Sequence, residues 1–278
     1  MAEQILVLSA TGNVGKFVVQ ALLNKGVSVK AASRRGENIG AAQGVKFDFD
    51  DESTWNAALE NVSAAYVMLP MGYANQDKLN ALLKLMLEKG IKPVLQTATE
   101  HFDSPENPNF HTEKRLEQSG KPYVILRPTW FMDNFNILWR ADLQKGVLTL
   151  PLHTGKSALI DVRDIADCAV AALTSDKFNG KAFNLTGGEL KTYAEMVEIL
   201  AEHSGLPLRF DSVTPEQYAA KLKADGFPDA GIPYFLKVLA DVENGSASII
   251  TDDVQTLTGH APRTLADFAK DNADKWRA

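Results

Sequence analysis

The 278-residue sequence predicts an α/β protein with a doubly wound parallel sheet, the Rossmann arrangement. Apolar runs of strand length alternate with segments of helical periodicity over the first 128 residues, and six strands can be counted there. The first strand leads through a glycine turn into a helix. Alternation of this kind favours right-handed parallel crossovers.

The opening segment, residues 4–26, contains that strand, turn and helix. Residues 5–8 form an unbroken apolar run, which is typical of a strand buried on both faces. Apolar residues follow helical spacing from Val14, and Gly26 ends the predicted helix. The glycines leave room for a ligand, and free N–H groups at the helix start favour an anion. The turn is therefore predicted to hold a dinucleotide pyrophosphate, with the contacting residues Ser9, Thr11, Gly12, Asn13, Val14 and Gly15.

The glycine motif of this turn is incomplete. A full motif would have glycine in place of Ser9 and of Val18. The alternative is an ordinary strand–helix turn whose glycines serve the turn alone. The context between a strand and a helix favours the dinucleotide interpretation.

The remaining elements divide the chain into two parts. Further strands are predicted at residues 27–33, 45–49, 64–69, 93–98 and 123–128, with helices at 53–60, 75–89 and 111–119. The second half has predicted helices at 133–145, 163–173, 235–244 and 264–276, extended segments at 147–150, 158–162 and 182–185, and capping boxes beginning at Thr192 and Thr214. We expect residues 1–150 to bind the dinucleotide, with their sheet completed by part of 156–186. Residues 151–278 are expected to form a smaller, mixed and mostly helical substrate-binding lobe.

Composition excludes several classes of protein. The net charge of −6 argues against a broad nucleic-acid surface. No apolar run approaches the roughly 20 residues of a membrane-spanning helix. The single cysteine, Cys168, forms no internal disulfide, which suits a reducing cytosol, and no secretory signal is visible. We therefore expect a cytoplasmic protein without nucleic-acid or membrane partners.

The end of the second predicted strand selects the dinucleotide. An acidic residue there would bind the ribose 2′-hydroxyl of NAD(H), whereas arginine suits the 2′-phosphate of NADP(H). The strand ends in Ser33, Arg34 and Arg35, roughly 20 residues after the motif glycine. A guanidinium pairs with phosphate through two N–H groups, and a serine hydroxyl adds a donor. The sequence predicts NADP(H); the alternative is two solvated surface arginines.

Three further strand ends are predicted to reach the same cofactor. These positions are Asp48 and Phe49 after the third strand, Leu69 and Pro70 after the fourth, and Thr97 and Ala98 after the fifth. A carboxylate after the third strand would accept the adenine amino group. For Asp51 the alternative is a helix N-cap.

Several catalytic schemes are excluded. The sequence contains no Tyr-x-x-x-Lys pair, no Gly-x-Ser-x-Gly elbow and no His-Glu-x-x-His. Its five histidines are scattered, so no metal site is predicted.

The sequence resembles the NmrA-like group of atypical short-chain dehydrogenases/reductases nearly from end to end. The resemblance rests on the order and spacing of Thr11-Gly12-Asn13-Val14-Gly15, Asp48-x-x-Asp51, Thr112-Glu113-Lys114, Ser119-Gly120-Lys121-Pro122-Tyr123, Leu126-Arg127-Pro128-x-x-Phe131-Met132-x-Asn134, Asp161-Val162-Arg163-Asp164-Ile165-Ala166, Leu185-Thr186-Gly187 and Thr251-Asp252-Asp253. Within the group it is most similar to bacterial reductases of quinones, azo dyes and triphenylmethane dyes. Ser9 departs from the glycine usual at its position.

This resemblance implies an NADPH-dependent reductase, a monomer or homodimer, with an open apolar site between the sheet edge and the C-terminal lobe. Placing a planar, electrophilic acceptor beside the nicotinamide would supply much of the catalysis through proximity. The acceptor would contact Met71, Tyr73, His101, Trp130, Phe131 and Asn134. Lys114 would touch the cofactor and act as the polar or proton-relay residue, with Tyr73 and His101 as alternative proton donors.

Purely structural roles for these side chains are the alternative. The apolar and aromatic residues are equally suited to ordinary core packing. Lys114 is placed to form a solvated helix pair with Glu117.

Two other functions stay open at this point. The NmrA-like group also includes non-catalytic proteins that bind NAD(P) and regulate a partner. A sugar-nucleotide epimerase-like activity is a further alternative, which the missing Tyr-x-x-x-Lys disfavours.

Overall fold

The computed structural model describes residues 4–70, 75–99 and 101–277. In chain order its strands are β1 Gln4–Val7, β2 Val29–Ser33, β3 Gln43–Lys46, β4 Val62–Val67, β5 Lys92–Gln96, β6 Val124–Pro128, β7 Val147–Leu150, β8 Lys156–Ser157, β9 Lys181–Leu185, β10 Lys191–Thr192 and β11 Arg209–Ser212. Its α-helices are α1 Gly15–Asn24, α2 Trp55–Leu59, α3 Gln76–Glu88, α4 Pro108–Glu117, α5 Asn134–Ile137, α6 Arg140–Gln144, α7 Val162–Leu173, α8 Tyr193–Ser204, α9 Pro215–Ala224, α10 Ile232–Glu243, α11 Asp253–Thr258 and α12 Leu265–Trp276.

Among the described residues, seven strands form one parallel sheet in the order β3-β2-β1-β4-β5-β6-β9. The predicted doubly wound parallel fold is confirmed. Chain order reverses between β1 and β4, where Ile5 on β1 lies opposite both Val29 and Ala64. In sheets of this kind, ligands bind outside the carboxyl ends of the strands at such a reversal.

The chain folds into two compact units. Unit 1 contains the described residues up to Pro128, Val162–Leu185 and Asp253–His260. Unit 2 contains Thr129–Asp161, Thr186–Asp252 and the chain from Ala261 onward. Residues 162–185 add β9 to the sheet of unit 1. Residues 129–150 cluster with unit 2.

Unit 1 buries its sheet between two groups of helices. Helices α2, α3 and α4 share an apolar cluster with fully buried sheet residues that include Leu6, Ala65 and Val67. Intervening residues such as Val7 and Tyr66 are also fully buried. They face the other side, where α1 packs on α7, which contacts β4, β5 and β6. Burial on both faces explains the unbroken apolar runs in the sequence.

Unit 2 is mostly helical around its own apolar cluster. That cluster includes Trp139, Tyr193, Leu239 and Trp276. Two small sheets complete it: β7 pairs in parallel with β11, and β8 pairs antiparallel with β10. Both predicted capping boxes are present, with Thr192 starting α8 and Thr214 starting α9.

Several predicted elements differ from the structure for local reasons. The single helix predicted at 133–145 is two short helices, α5 and α6, because buried Trp139 leaves helical geometry between them. Helix α4 begins at Pro108 rather than residue 111 because the Asn107 side chain caps it. The predictions missed β11 and α11. Within the described residues, every helix is too short or too polar to cross a lipid bilayer.

Candidate functional site

The turn between β1 and α1 is closed by backbone contacts at Ser9. The N–H of Gly12 donates to the Ser9 carbonyl at 2.8 Å. A Cβ atom at Gly15 would lie 2.2 Å from that same oxygen, so only glycine permits this approach. Ser9 itself has φ 51°, the left-handed region that glycine usually occupies. The chain thus keeps the tight turn without the usual first glycine, at a cost of about 1–2 kcal/mol.

The same turn offers N–H groups to a ligand. Within the described part of the chain, the amides of Thr11, Asn13, Val14 and Gly15 donate to no backbone acceptor. Val14 provides no side-chain cap, and the first turn of α1 carries no acidic residue. Unpaired amides at the positive end of a helix dipole attract an anion. This turn therefore fits a dinucleotide pyrophosphate.

A guanidinium lies at the neighbouring strand end. Arg34 follows β2, is exposed, and makes no ion pair or hydrogen bond with any described residue. Arg35 differs because its Nε lies 3.8 Å from Glu37 Oε2. Ser33 Oγ accepts the Gly36 N–H at 3.0 Å, which fixes the turn after β2. Since β1 and β2 are parallel neighbours, Arg34 and the glycine turn share one sheet edge. These residues fit a 2′-phosphate.

The residues after β3 form a turn of their own. Asp48 Oδ1 accepts the Asp50 N–H at 3.0 Å, and Phe49 is buried edge-on to Phe47. The Asp51 carboxylate accepts from the N–H and hydroxyl of Ser53, so the alternative N-cap role is confirmed. The Ser53 hydroxyl is also the main reason that the pKa of Asp51 lies below its usual value.

A buried ion-pair network lies behind the end of β5. Thr97 Oγ1 donates to Glu113 Oε1 at 2.7 Å, and Arg127 Nε donates to Glu113 Oε2 at 3.0 Å. The Arg127 guanidinium also lies 4.3 Å from the centre of the Phe102 ring. Side-chain exposure is 3% for Glu113 and 11% for Arg127. The hydrogen bond to Glu113 therefore fixes the Thr97 side chain at the carboxyl end of β5, where we predicted a cofactor contact.

Sequence reasoning missed this network, although one signal was available. Arg127 stands in an otherwise apolar buried strand, and a charge in such a position requires a partner. Thr99 is a second missed residue at this edge. Its hydroxyl is buried and has no hydrogen-bond partner among the described residues.

The remaining predicted site residues of unit 1 differ in their exposure and contacts. Leu69 is half-buried and Pro70 exposed after β4, and Ala98 is half-buried after β5. Lys114 is 47% exposed on α4, and its Nζ lies 2.7 Å from Glu117 Oε2. The exposed His101 has φ 53° and accepts the Ser104 N–H at its carbonyl. Met71 and Tyr73 lie outside the described residues. The catalytic roles of Lys114, His101 and Tyr73 stay predictions.

Trp130, Phe131 and Asn134 belong to unit 2. Trp130 is half-buried, packs against the unit 2 cluster and stacks on Trp139, with 6.3 Å between ring centres. Phe131 pairs with Ile160 in an isolated parallel bridge. Asn134 begins α5. Their contact with an acceptor stays a prediction.

Asp164, Asp167 and His260 of unit 1 each place one possible ligand atom within 4.8 Å of the others. His260 Nε2 lies 3.6 Å from Asp167 Oδ2. Each of the three residues has at least one further interaction within the protein.

Known proteins match this chain over nearly its whole length. An uncharacterized oxidoreductase, YesF, of Bacillus subtilis is 30% identical, covering 98% of this chain and 96% of the relative. An NAD(P)H azoreductase of Xenophilus azovorans is 29% identical over 97% and 98% of the two chains. The solved structure of an NADPH-dependent quinone oxidoreductase of Escherichia coli, complexed with NADPH, superposes with a TM-score of 0.84. It is 22% identical, covering 96% of this chain and 99% of the other. The sequence pattern of the NmrA-like family matches residues 1–243, so this protein belongs to the NmrA-like family.

Proposed function

We propose that this protein is an NADPH-dependent oxidoreductase that reduces small, planar, electrophilic acceptors such as quinones and azo dyes. One observation carries the proposal. The β1–α1 turn presents four unpaired amides, and the exposed Arg34 at the adjacent strand end has no partner among the described residues. A pyrophosphate and a 2′-phosphate are the two anions that NADP(H) would bring to these groups.

Each residue of the proposed cofactor site has a defined task. The amides of Asn13, Val14 and Gly15 bind the pyrophosphate, and Gly12 leaves the backbone open to it. Arg34 binds the 2′-phosphate with two N–H groups, which also discriminates against NADH. Ser33, Arg35, Asp48 and Phe49 are proposed to line the adenosine end, and Leu69, Pro70, Thr97 and Ala98 the nicotinamide end.

When bound, the nicotinamide supplies a hydride, so that a quinone, NADPH and one proton give a hydroquinone and NADP⁺. The residues of the chain then need only position the acceptor and move one proton. His101 and Lys114 are the proposed proton donors within the described part of unit 1, and Tyr73 is a third. The acceptor class is supported by the relatives, one an NAD(P)H azoreductase and one an NADPH-dependent quinone oxidoreductase.

The direct test is NADPH oxidation followed at 340 nm with a panel of quinones, azo dyes and triphenylmethane dyes. We expect turnover with at least one acceptor class and a preference for NADPH over NADH of at least tenfold in kcat/KM. Tight NADPH binding without turnover on the panel would contradict the reductase proposal and favour a cofactor-binding regulator. Equal use of NADH would contradict the role of Arg34.

A further inference from the structure

The threonine that follows β5 has no hydrogen left to donate to a ligand. The Thr97 hydroxyl donates to Glu113 Oε1 at 2.7 Å, and the Thr97 N–H donates to the Leu126 carbonyl at 2.9 Å. A threonine has only these two donors, and a carboxylate can only accept. The lone pairs of Thr97 Oγ1 are therefore what this side chain can offer. Thr97 is half-buried, in contrast to the enclosed Glu113 behind it.

The ion pair behind Thr97 keeps the direction of this hydrogen bond from reversing. Arg127 carries only donors and binds Glu113 Oε2, so Oε1 is left to the Thr97 hydroxyl. Because the Glu113 side chain is almost fully buried, little water can reach its carboxylate and take the place of that hydroxyl. Hydrogen bonds to a charged group are strong in such surroundings. Thr97 is therefore an acceptor toward anything bound at the carboxyl end of β5.

The position of Thr97 in the sheet indicates which part of the cofactor it would meet. In the strand order, β5 lies two strands from β1 on the side of β4. Its end is thus roughly 10 Å from the pyrophosphate turn, at two strand spacings. In a cofactor bound as proposed above, the ribose next to the pyrophosphate covers part of this distance and the nicotinamide follows. The nicotinamide carboxamide has one carbonyl oxygen and one NH₂ group, and only the NH₂ group can bond to an acceptor.

We propose that Thr97 Oγ1 accepts a hydrogen bond from the carboxamide NH₂ group of NADP(H), and that Glu113 is the positioning residue that makes Thr97 an acceptor. This inference rests on the proposed function and names the group that orients the nicotinamide end. An acceptor admits the NH₂ group and repels the carbonyl oxygen, so one rotation of the carboxamide is selected. The ribose hydroxyls both donate and accept, so Thr97 would select no orientation through them.

The test is calorimetric titration of the full chain with three oxidised cofactors. These are NADP⁺, its thionicotinamide analogue, which keeps the NH₂ group, and its 3-acetylpyridine analogue, in which a methyl group replaces NH₂. We expect the acetylpyridine analogue to bind about 3–10-fold more weakly than the other two, which is the loss of one hydrogen bond.

The variant Thr97→Val keeps the branched shape and removes Oγ1. It should weaken NADP⁺ about 3–10-fold and leave the acetylpyridine analogue within about twofold, so that the preference between them disappears. The control Thr174→Val removes a hydroxyl that donates to the Val170 carbonyl at 2.7 Å just after α7, and it should leave all three affinities unchanged.

The variant Glu113→Gln tests the positioning role. Because Arg127 only donates, the glutamine oxygen must face Arg127 and the glutamine NH₂ group must face Thr97. Thr97 Oγ1 then accepts from the glutamine, and its own hydrogen turns toward the ligand. The preference for NADP⁺ over the acetylpyridine analogue should be lost, whereas a general loss of stability would weaken both equally. Should this variant fail to fold, Thr97→Ser replaces it; it keeps the hydroxyl and should keep the preference.

Three results would overturn the proposal. The wild type could bind NADP⁺ and the acetylpyridine analogue equally. The thionicotinamide analogue could be the weaker one, which would make Thr97 a donor to the carboxamide oxygen. Thr97→Val could weaken NADP⁺ and the acetylpyridine analogue by the same factor. All of these are binding measurements, whereas the reductase proposal is decided by NADPH oxidation with an acceptor, so the two proposals fail separately.

Discussion

The buried pair of Glu113 and Arg127 allows a worked prediction for Arg127→Met. Methionine fills much of the arginine volume but leaves the Glu113 carboxylate in a site where its side chain is 3% exposed. Only the Thr97 hydroxyl would remain as a donor from this network. Removing one partner of a buried ion pair costs about 3–5 kcal/mol. For a chain of this size each kcal/mol corresponds to roughly 2–4 °C in Tm. We therefore expect Tm to fall by roughly 6–20 °C.

The adjacent residues of α4 supply the control. Lys114 and Glu117 also form a pair, but their side chains are 47% and 34% exposed. Exposed pairs contribute about 0.2–1 kcal/mol, so Lys114→Met should change stability by no more than that. Urea unfolding at pH 7 measures both variants.

A double variant separates the buried charge from lost packing. Glu113→Gln/Arg127→Met removes both charges, so it should recover about 2 kcal/mol relative to Arg127→Met alone. The reasoning is refuted if Arg127→Met costs no more than Lys114→Met. It is also refuted if the double variant is no more stable than Arg127→Met.

Two further predictions concern the turn at Gly15 and the loop that Glu243 holds. Gly15→Ala should cost about 1–3 kcal/mol through overpacking and weaken NADPH at least tenfold. Gly26→Ala, whose Cβ would meet nothing within 4 Å, should leave NADPH affinity intact in fluorescence titration; equal affinity losses would contradict the turn geometry. Burial alone would raise the pKa of Glu243, but hydrogen bonds from the N–H groups of residues 153–155 hold it below its usual value. The stabilisation that the ionised Glu243 carboxylate gives the fold is therefore fully present above its unfolded-state pKa of about 4.3. It is lost as the pH falls through the folded-state pKa. Glu243→Gln should cost about 1–2 kcal/mol at pH 7 in urea unfolding, and the difference should shrink as the pH falls below the unfolded pKa of Glu243; a difference that is constant with pH would contradict this.

The sheet could be predicted from the sequence because its signals are local. Unbroken apolar runs and the glycine turn at Gly12 and Gly15 predicted the strands of unit 1 and the first crossover. The capping boxes at Thr192 and Thr214 predicted two helix starts because their hydrogen bonds join residues three apart. Helix 133–145 failed because the break at Trp139 is set by the core of unit 2 rather than by helical propensity.

The candidate site also has one part that local sequence signals predict and one part that depends on tertiary contacts. The amides of the turn and the position of Arg34 follow from motif spacing and parallel pairing, and the structure adds that Arg34 has no partner among the described residues. The network of Thr97, Glu113 and Arg127 joins the residue that follows β5 to α4 and β6. Contacts between side chains on three separate elements leave no periodic pattern in the sequence, which is why the network was missed.

The central claim is that Arg34 and the β1–α1 turn together bind NADP(H). Calorimetric titration of NADPH and NADH into wild type, Arg34→Ala and the exposed control Lys25→Ala tests it most directly. Loss of a bidentate, charge-assisted contact of about 1.5–3 kcal/mol should weaken NADPH by roughly 10–100-fold. NADH affinity should change less than about twofold, since NADH has no 2′-phosphate for Arg34 to bind. Equal losses for both nucleotides, or no binding of either to the wild type, would contradict the claim.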